Sequence, residues 1–275
     1  MKRRGNKKEP HQRKGIYVLP NLITTAALFC GFFSIVHSIQ GEFFTAAWAI
    51  LFAGVFDALD GRVARLTRSH SDFGVEYDSL SDLASFGLAP AILAYTWTLN
   101  QFGKFGWAAA FLFFACGALR LARYNTQRLD VEKKYFQGLP IPLAAYAVAG
   151  YVIFHYRWKG DIEAASYLTL FMSVGLALLM VSNVRYRSFK SIPWRRKESF
   201  FVLVLMAVGI FVVASAPTVM IFLFTLTYVA SGLVEELILK LKYRKQPERL
   251  TGLSNPDGST GEPEPFRVIH GNSQK

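Results

Sequence analysis

The sequence predicts an all-α integral membrane protein, a polytopic bundle of about eight transmembrane helices with both termini cytoplasmic. Three observations lead there. Of the 275 residues, 52% are apolar, and they fall in long runs rather than in amphipathic stripes. The chain nevertheless carries a net charge of +12, so the basic excess needs an address. That address is the connections: of the 31 Lys and Arg, all but Lys104, Arg157 and Lys159 lie in 1–16, 60–76, 120–137, 183–198 and 240–275. Alternate connections are therefore basic, the pattern of cytoplasmic loops.

The elements follow in order. Residues 1–15 form a basic arm with Lys2, Arg3, Arg4, Lys7, Lys8, Arg13 and Lys14. Ahead of a hydrophobic span this arm reads as a cytoplasmic anchor, not as a nucleic-acid tail. Pro20 and Asn21 mark an interfacial break before the first span. Spans are expected at about 22–40, 43–60, 77–99, 106–123, 140–156, 165–182, 199–216 and 218–239, each near the length that crosses a hydrocarbon core. Gly87 and Pro90 predict a kink in the third. Gly138, Pro140 and Pro142 predict an interfacial turn before the fifth. The membrane domain thus covers 16–243, and 244–275, rich in Pro, Gly, Ser and charge, reads as a disordered cytoplasmic tail. Cys30 and Cys116 lie inside spans and read as packing residues.

The stretch from Asp57 to Asp82 carries the chemistry. Asp57 and Asp60 are three apart, Asp78 and Asp82 four apart, so each pair shares a helix face. Both pairs fall at the cytoplasmic edge of the bilayer, where ionised carboxylates are costly and converging ones repel. One or two divalent cations relieve this. All-oxygen ligation points to a hard ion, Mg²⁺, Mn²⁺ or Ca²⁺. Gly61 and Ala64 continue the acidic face with little side-chain bulk, which lets a large ligand lie close to the backbone. Arg62, Arg65 and Arg68 offer forks for phosphate oxygens. Further on, Arg120 and Arg123 share a helix face near Asn125, as a positive-inside anchor or an anion site.

Asp57, Asp60, Gly61, Ala64, Arg65, Gly74, Asp78 and Asp82 complete the pattern D-x2-D-G-x2-A-R-x8-G-x3-D-x3-D. It resembles the signature of the CDP-alcohol phosphatidyltransferase family, membrane enzymes that move a phosphatidyl group from a CDP-linked lipid to an alcohol. The resemblance implies that Asp57, Asp60 and Asp78 hold divalent metal, Mg²⁺ or Mn²⁺, with Asp82 on or near a second ion. It implies Asp82, beside Asp78, as the catalytic base, and a CDP-lipid site of Asp57, Asp60, Gly61, Ala64, Arg65 and Gly74.

Shorter runs, S-F-G-L-A-P, R-L-A-R-Y-N, G-L-P-I-P and S-F-K, are similar to the phosphatidylserine synthase branch. They imply CDP-diacylglycerol and L-serine as substrates, with CMP released, in a homodimer of a prokaryotic plasma membrane with its active site facing the cytoplasm. Arg120, Arg123, Asn125 and Lys190 are then candidates for the serine carboxylate, and Glu76 for its ammonium. Two rivals stand beside this reading. One is a family member using glycerol 3-phosphate or inositol phosphate; the other is a divalent-cation transporter.

Overall fold

The first two helices form a hairpin, α1 over Val18–Ile39 and α2 over Phe43–Thr67, turning at Gly41 with a φ of 82°. The structure is a computed structural model. It describes residues 18–67, 71–127, 135–158, 160–187, 220, 222–232 and 234. These lie in one compact unit that ends at Glu235. The basic arm, the expected span at 199–216, Arg68, His70, Lys190 and the tail lie outside the described residues.

Pro20 and Asn21 do not break the chain before α1, as the sequence suggested, but sit in its first turn. Proline is tolerated there because first-turn N–H groups have no intrahelical acceptor. Similarly, α2 continues past residue 60, so Asp57 and Asp60 lie well inside a helix.

The third stretch is assembled in pieces: α3 over Asp72–Asp82, a π turn over Leu83–Leu88, and α4 over Ala89–Trp97. Pro90 has no N–H for the carbonyl four residues back, and the helix widens just before it. The expected kink is thus a π turn placed directly after Asp82. A 3₁₀ turn at Leu99–Phe102 leads to α5, Lys104–Gln127.

Two further helices, α6 over Ile141–Trp158 and α7 over Ile162–Val181, are followed by an apolar helix α8 over Phe222–Gly232. Before α6 and after α7 the chain departs from the all-helical expectation. Strands β1, Tyr135–Gln137, and β2, Arg185–Arg187, pair antiparallel with Phe136 opposite Tyr186. Gly138, at a φ of 78°, follows the ribbon and donates its N–H to Val184 O at 2.9 Å. Leu139 N–H then reaches Leu179 O at 3.1 Å, tying the start of α6 to the end of α7. The ribbon satisfies backbone groups that two helix ends would otherwise leave bare.

Four of the described helices, α1, α2, α5 and α7, are long and apolar enough to cross a membrane. Small residues let them pack closely. The buried face of α1 is Pro20, Thr24, Ala27, Gly31, Ser34 and Ser38. A Cβ on Gly31 would lie 2.5 Å from Ser85 Oγ, so only glycine allows this contact with the π turn. Helix α6 is largely enclosed, with Ile141, Ala144, Ala145, Val148, Val152 and Ile153 all buried. Large apolar side chains such as Phe29, Phe32, Phe111 and Phe171 point outward, as a surface solvated by lipid requires.

Candidate active site between α2 and α3

The site forms where α2 ends and α3 begins. Ser71 caps α3, accepting from Gly74 N–H at 3.0 Å, and so starts the helix in time to put Asp78 and Asp82 opposite α2. Carboxylate oxygens of Asp57, Asp60 and Asp78 lie within 4.8 Å of one another. Asp82 joins them, close enough to Asp57, Asp78 and Asp60 for their charges to act on it. All four predicted acids therefore converge.

The donor set fits a hard divalent cation. Two oxygens on one ion are at most two metal–oxygen lengths apart, about 4.1 Å for Mg²⁺ and about 4.8 Å for Ca²⁺. The 4.8 Å bound on the cluster meets the Ca²⁺ limit, and a smaller ion would draw the acids slightly closer. Asp60 is only 5% exposed, and Thr24 Oγ1 donates to it at 2.8 Å. A buried carboxylate so fixed, facing others, calls for positive charge nearby.

The surroundings are uneven. Gly61 opens onto free space, with nothing within 4 Å of where a Cβ would stand, and Ala64 continues this half-buried strip. Arg65 is exposed and folds along its own helix, Nε donating to Gly61 O at 2.8 Å. Gly74, expected to leave room for a ligand, is instead packed: a Cβ there would come 3.1 Å from Ser71 Oγ and 3.3 Å from Asn21 Oδ1. Its missing side chain serves the helix cap.

Among the candidates for the acceptor, Arg120 and Asn125 come to the site. Arg120 is half-buried, its guanidinium carbon 5.4 Å from the Tyr124 ring centroid and within the field of Asp82. Asn125 Nδ2 donates to Ser79 Oγ at 2.9 Å, between the two acids of α3. Arg123 is turned elsewhere. Its two terminal nitrogens bind Val181 O at 3.2 Å and Asn183 Oδ1 at 2.7 Å, which caps α7. Glu76 is exposed and two residues from Asp78, hence on the far side of α3 from the acids.

Sequence reasoning missed Thr24, Ser79 and Tyr146. Tyr146 of α6 reaches beneath the acids, its hydroxyl filling the place of a side chain at Gly54, one turn before Asp57. Its ring meets Phe86 edge-on at 6.0 Å. The one available signal was a polar residue within each apolar span, which in lipid calls for a partner.

Comparison with known proteins agrees with this geometry. Over 230 residues, 82% of this chain and 94% of the other, the sequence is 37% identical to the CDP-diacylglycerol–serine O-phosphatidyltransferase of Helicobacter pylori. It is 34% identical over 182 residues, 66% of this chain and 96% of the other, to the protein of the same name from Bacillus subtilis. The archaetidylserine synthase of Methanothermobacter thermautotrophicus is 37% identical over 170 residues, 61% of this chain and 69% of its own. Relatives of this kind leave no place for the transporter reading. Residues 17–233, which carry the whole acid cluster and every described helix, match the CDP-alcohol phosphatidyltransferase family, and the chain belongs to it.

Proposed function

We propose that this membrane enzyme transfers the phosphatidyl group of CDP-diacylglycerol to the hydroxyl of L-serine, giving phosphatidylserine and CMP. The observation that carries the reading is the convergence of Asp57, Asp60, Asp78 and Asp82 beside the open strip at Gly61. The names and coverage of the relatives support serine as the acceptor.

In this mechanism Asp57, Asp60 and Asp78 would hold divalent metal, Mg²⁺ or Mn²⁺, with Asp82 on or near a second ion. When bound, the cation offsets negative charge on the pyrophosphate and on the departing CMP. Gly61 and Ala64 leave space for the nucleotide against α2, and Arg65 swings from Gly61 O to a phosphate oxygen. The serine oxygen forms the new bond to phosphorus as the bond to CMP breaks. Asp82 takes the hydroxyl proton, and Arg120, with Asn125, receives the serine carboxylate.

The basic connections support about eight spans with both termini cytoplasmic. The acids then face the cytoplasm of a prokaryotic plasma membrane, where a soluble amino acid meets a lipid-borne nucleotide. The enzyme works as a homodimer, and the membrane domain is 16–243.

The test is CMP release from CDP-diacylglycerol by the purified full chain, with and without Mg²⁺ or Mn²⁺, offering L-serine, glycerol 3-phosphate or inositol phosphate. Metal-dependent release with L-serine alone, abolished by Asp78→Asn, is expected. Release with another acceptor only would keep the family and replace the substrate.

A further inference from the structure

We infer that Thr24 of α1 is a positioning residue for the metal-binding carboxylate of Asp60. The inference rests on the proposed divalent-cation site. Thr24 and Asp60 are each 5% exposed, so water does not compete for their contact. The Thr24 hydroxyl has one proton and two acceptors in range, Pro20 O at 3.1 Å and Asp60 Oδ2 at 2.8 Å. The carboxylate is nearer and charged, so it takes the proton. Pro20 O still matters. A helical threonine divides between two rotamers, and the one that lies against the carbonyl four residues back is here the one that aims at Asp60.

Thr24 also touches the other acid-bearing helix. Its carbonyl accepts from Ser81 Oγ at 3.2 Å, one residue before Asp82. Next to it, Thr25 Oγ1 lies 2.8 Å from the Tyr77 hydroxyl, one residue before Asp78. One turn of α1 is thus bonded to α2 at Asp60 and to α3 at the neighbours of Asp78 and Asp82. It sets how far apart the two acid pairs stand. Hydrogen bonds behind a metal ligand fix its orientation, and losing one commonly weakens metal binding about 10- to 100-fold.

Thr24→Val keeps the branched shape and removes the hydroxyl. Mn²⁺ binding to the purified full chain, followed by the electron paramagnetic resonance signal of free Mn²⁺, is expected to weaken about tenfold or more. Thr24→Ser, which keeps the hydroxyl, is expected to bind within about twofold of the native chain. Thr24→Ala, smaller than the native side chain, gives the same comparison should valine not be accommodated. Equal affinity for the native chain and the hydroxyl-free variants would overturn the inference and leave the proposed reaction standing. Equal weakening in Thr24→Ser and Thr24→Val would also overturn it, by assigning the effect to packing. Absence of Mn²⁺ binding by the native chain would overturn both the inference and the metal reading.

Discussion

Asn125 Nδ2 donates a 2.9 Å hydrogen bond to Ser79 Oγ, joining the end of α5 to the acid-bearing face of α3. The direction of the bond is set, because the Ser79 hydroxyl spends its own proton on Val75 O at 3.0 Å. Asn125→Ala and Ser79→Ala are each expected to lower kcat/KM for L-serine about fivefold, the equivalent of about 1 kcal/mol for one neutral hydrogen bond. The double variant should lose no more than either alone. Steady-state CMP release against serine concentration checks this; losses that multiply would show that the two residues act separately.

Arg120 is the described cation that stands nearest in role to a carboxylate receptor. Replacing it by alanine should raise KM for L-serine about 10- to 100-fold, as expected for a charge-assisted hydrogen bond of about 1.5–3 kcal/mol. Lysine should recover only part, since it keeps the charge but not the planar fork. An unchanged KM in Arg120→Ala would place serine elsewhere.

Two glycines of α2 should part company. A Cβ on Gly54 falls on the Tyr146 hydroxyl, whereas a Cβ on Gly61 meets nothing within 4 Å. Gly54→Ala is expected to destabilise by about 1–3 kcal/mol through overpacking. Gly61→Ala should leave the melting temperature unchanged or slightly higher, because alanine favours the helix. Its KM for CDP-diacylglycerol should rise, since the new methyl stands on the nucleotide strip. Thermal unfolding in detergent and lipid-substrate titration separate the two.

Removing divalent cation should silence CMP release, and Mg²⁺ or Mn²⁺ should restore it. Binding also stabilises whatever it favours, by about 2.7 kcal/mol when the ion is a hundredfold above its dissociation constant. Added Mn²⁺ is therefore expected to raise the melting temperature of the native chain, and to do so far less in Asp60→Asn. A melting temperature indifferent to Mn²⁺ in the native chain would count against the site.

Much of this was legible in the sequence because it depends on local periodicity. Spacings of three and four put Asp57 with Asp60 and Asp78 with Asp82 on helix faces, and apolar runs located the first six helical stretches. What was not legible depends on the third dimension. Nothing within α1 announces that Thr24, rather than Thr25, meets Asp60. Arg123 has the same composition signal as Arg120, yet the neighbouring helix α7 claims its guanidinium. Gly74 belongs to the motif, but only the cap at Ser71 reveals that it is filled by neighbours.

The π turn at Leu83–Leu88 has a consequence for how this sequence tolerates change in length. Such a turn holds one residue more than an α-helix would over the same bonds. Deleting a single residue there would leave the apolar run long enough to span and its hydropathy almost untouched. It would also let the turn close to a regular α-helix, so α3 and α4 would keep their rotational register. Asp78 and Asp82 would still face α2, whereas a deletion in α4, with the π turn kept, would turn them by about 100°, one residue's step round a helix. Loss of one residue in this short segment should therefore be commoner among functional variants than loss of one from α4.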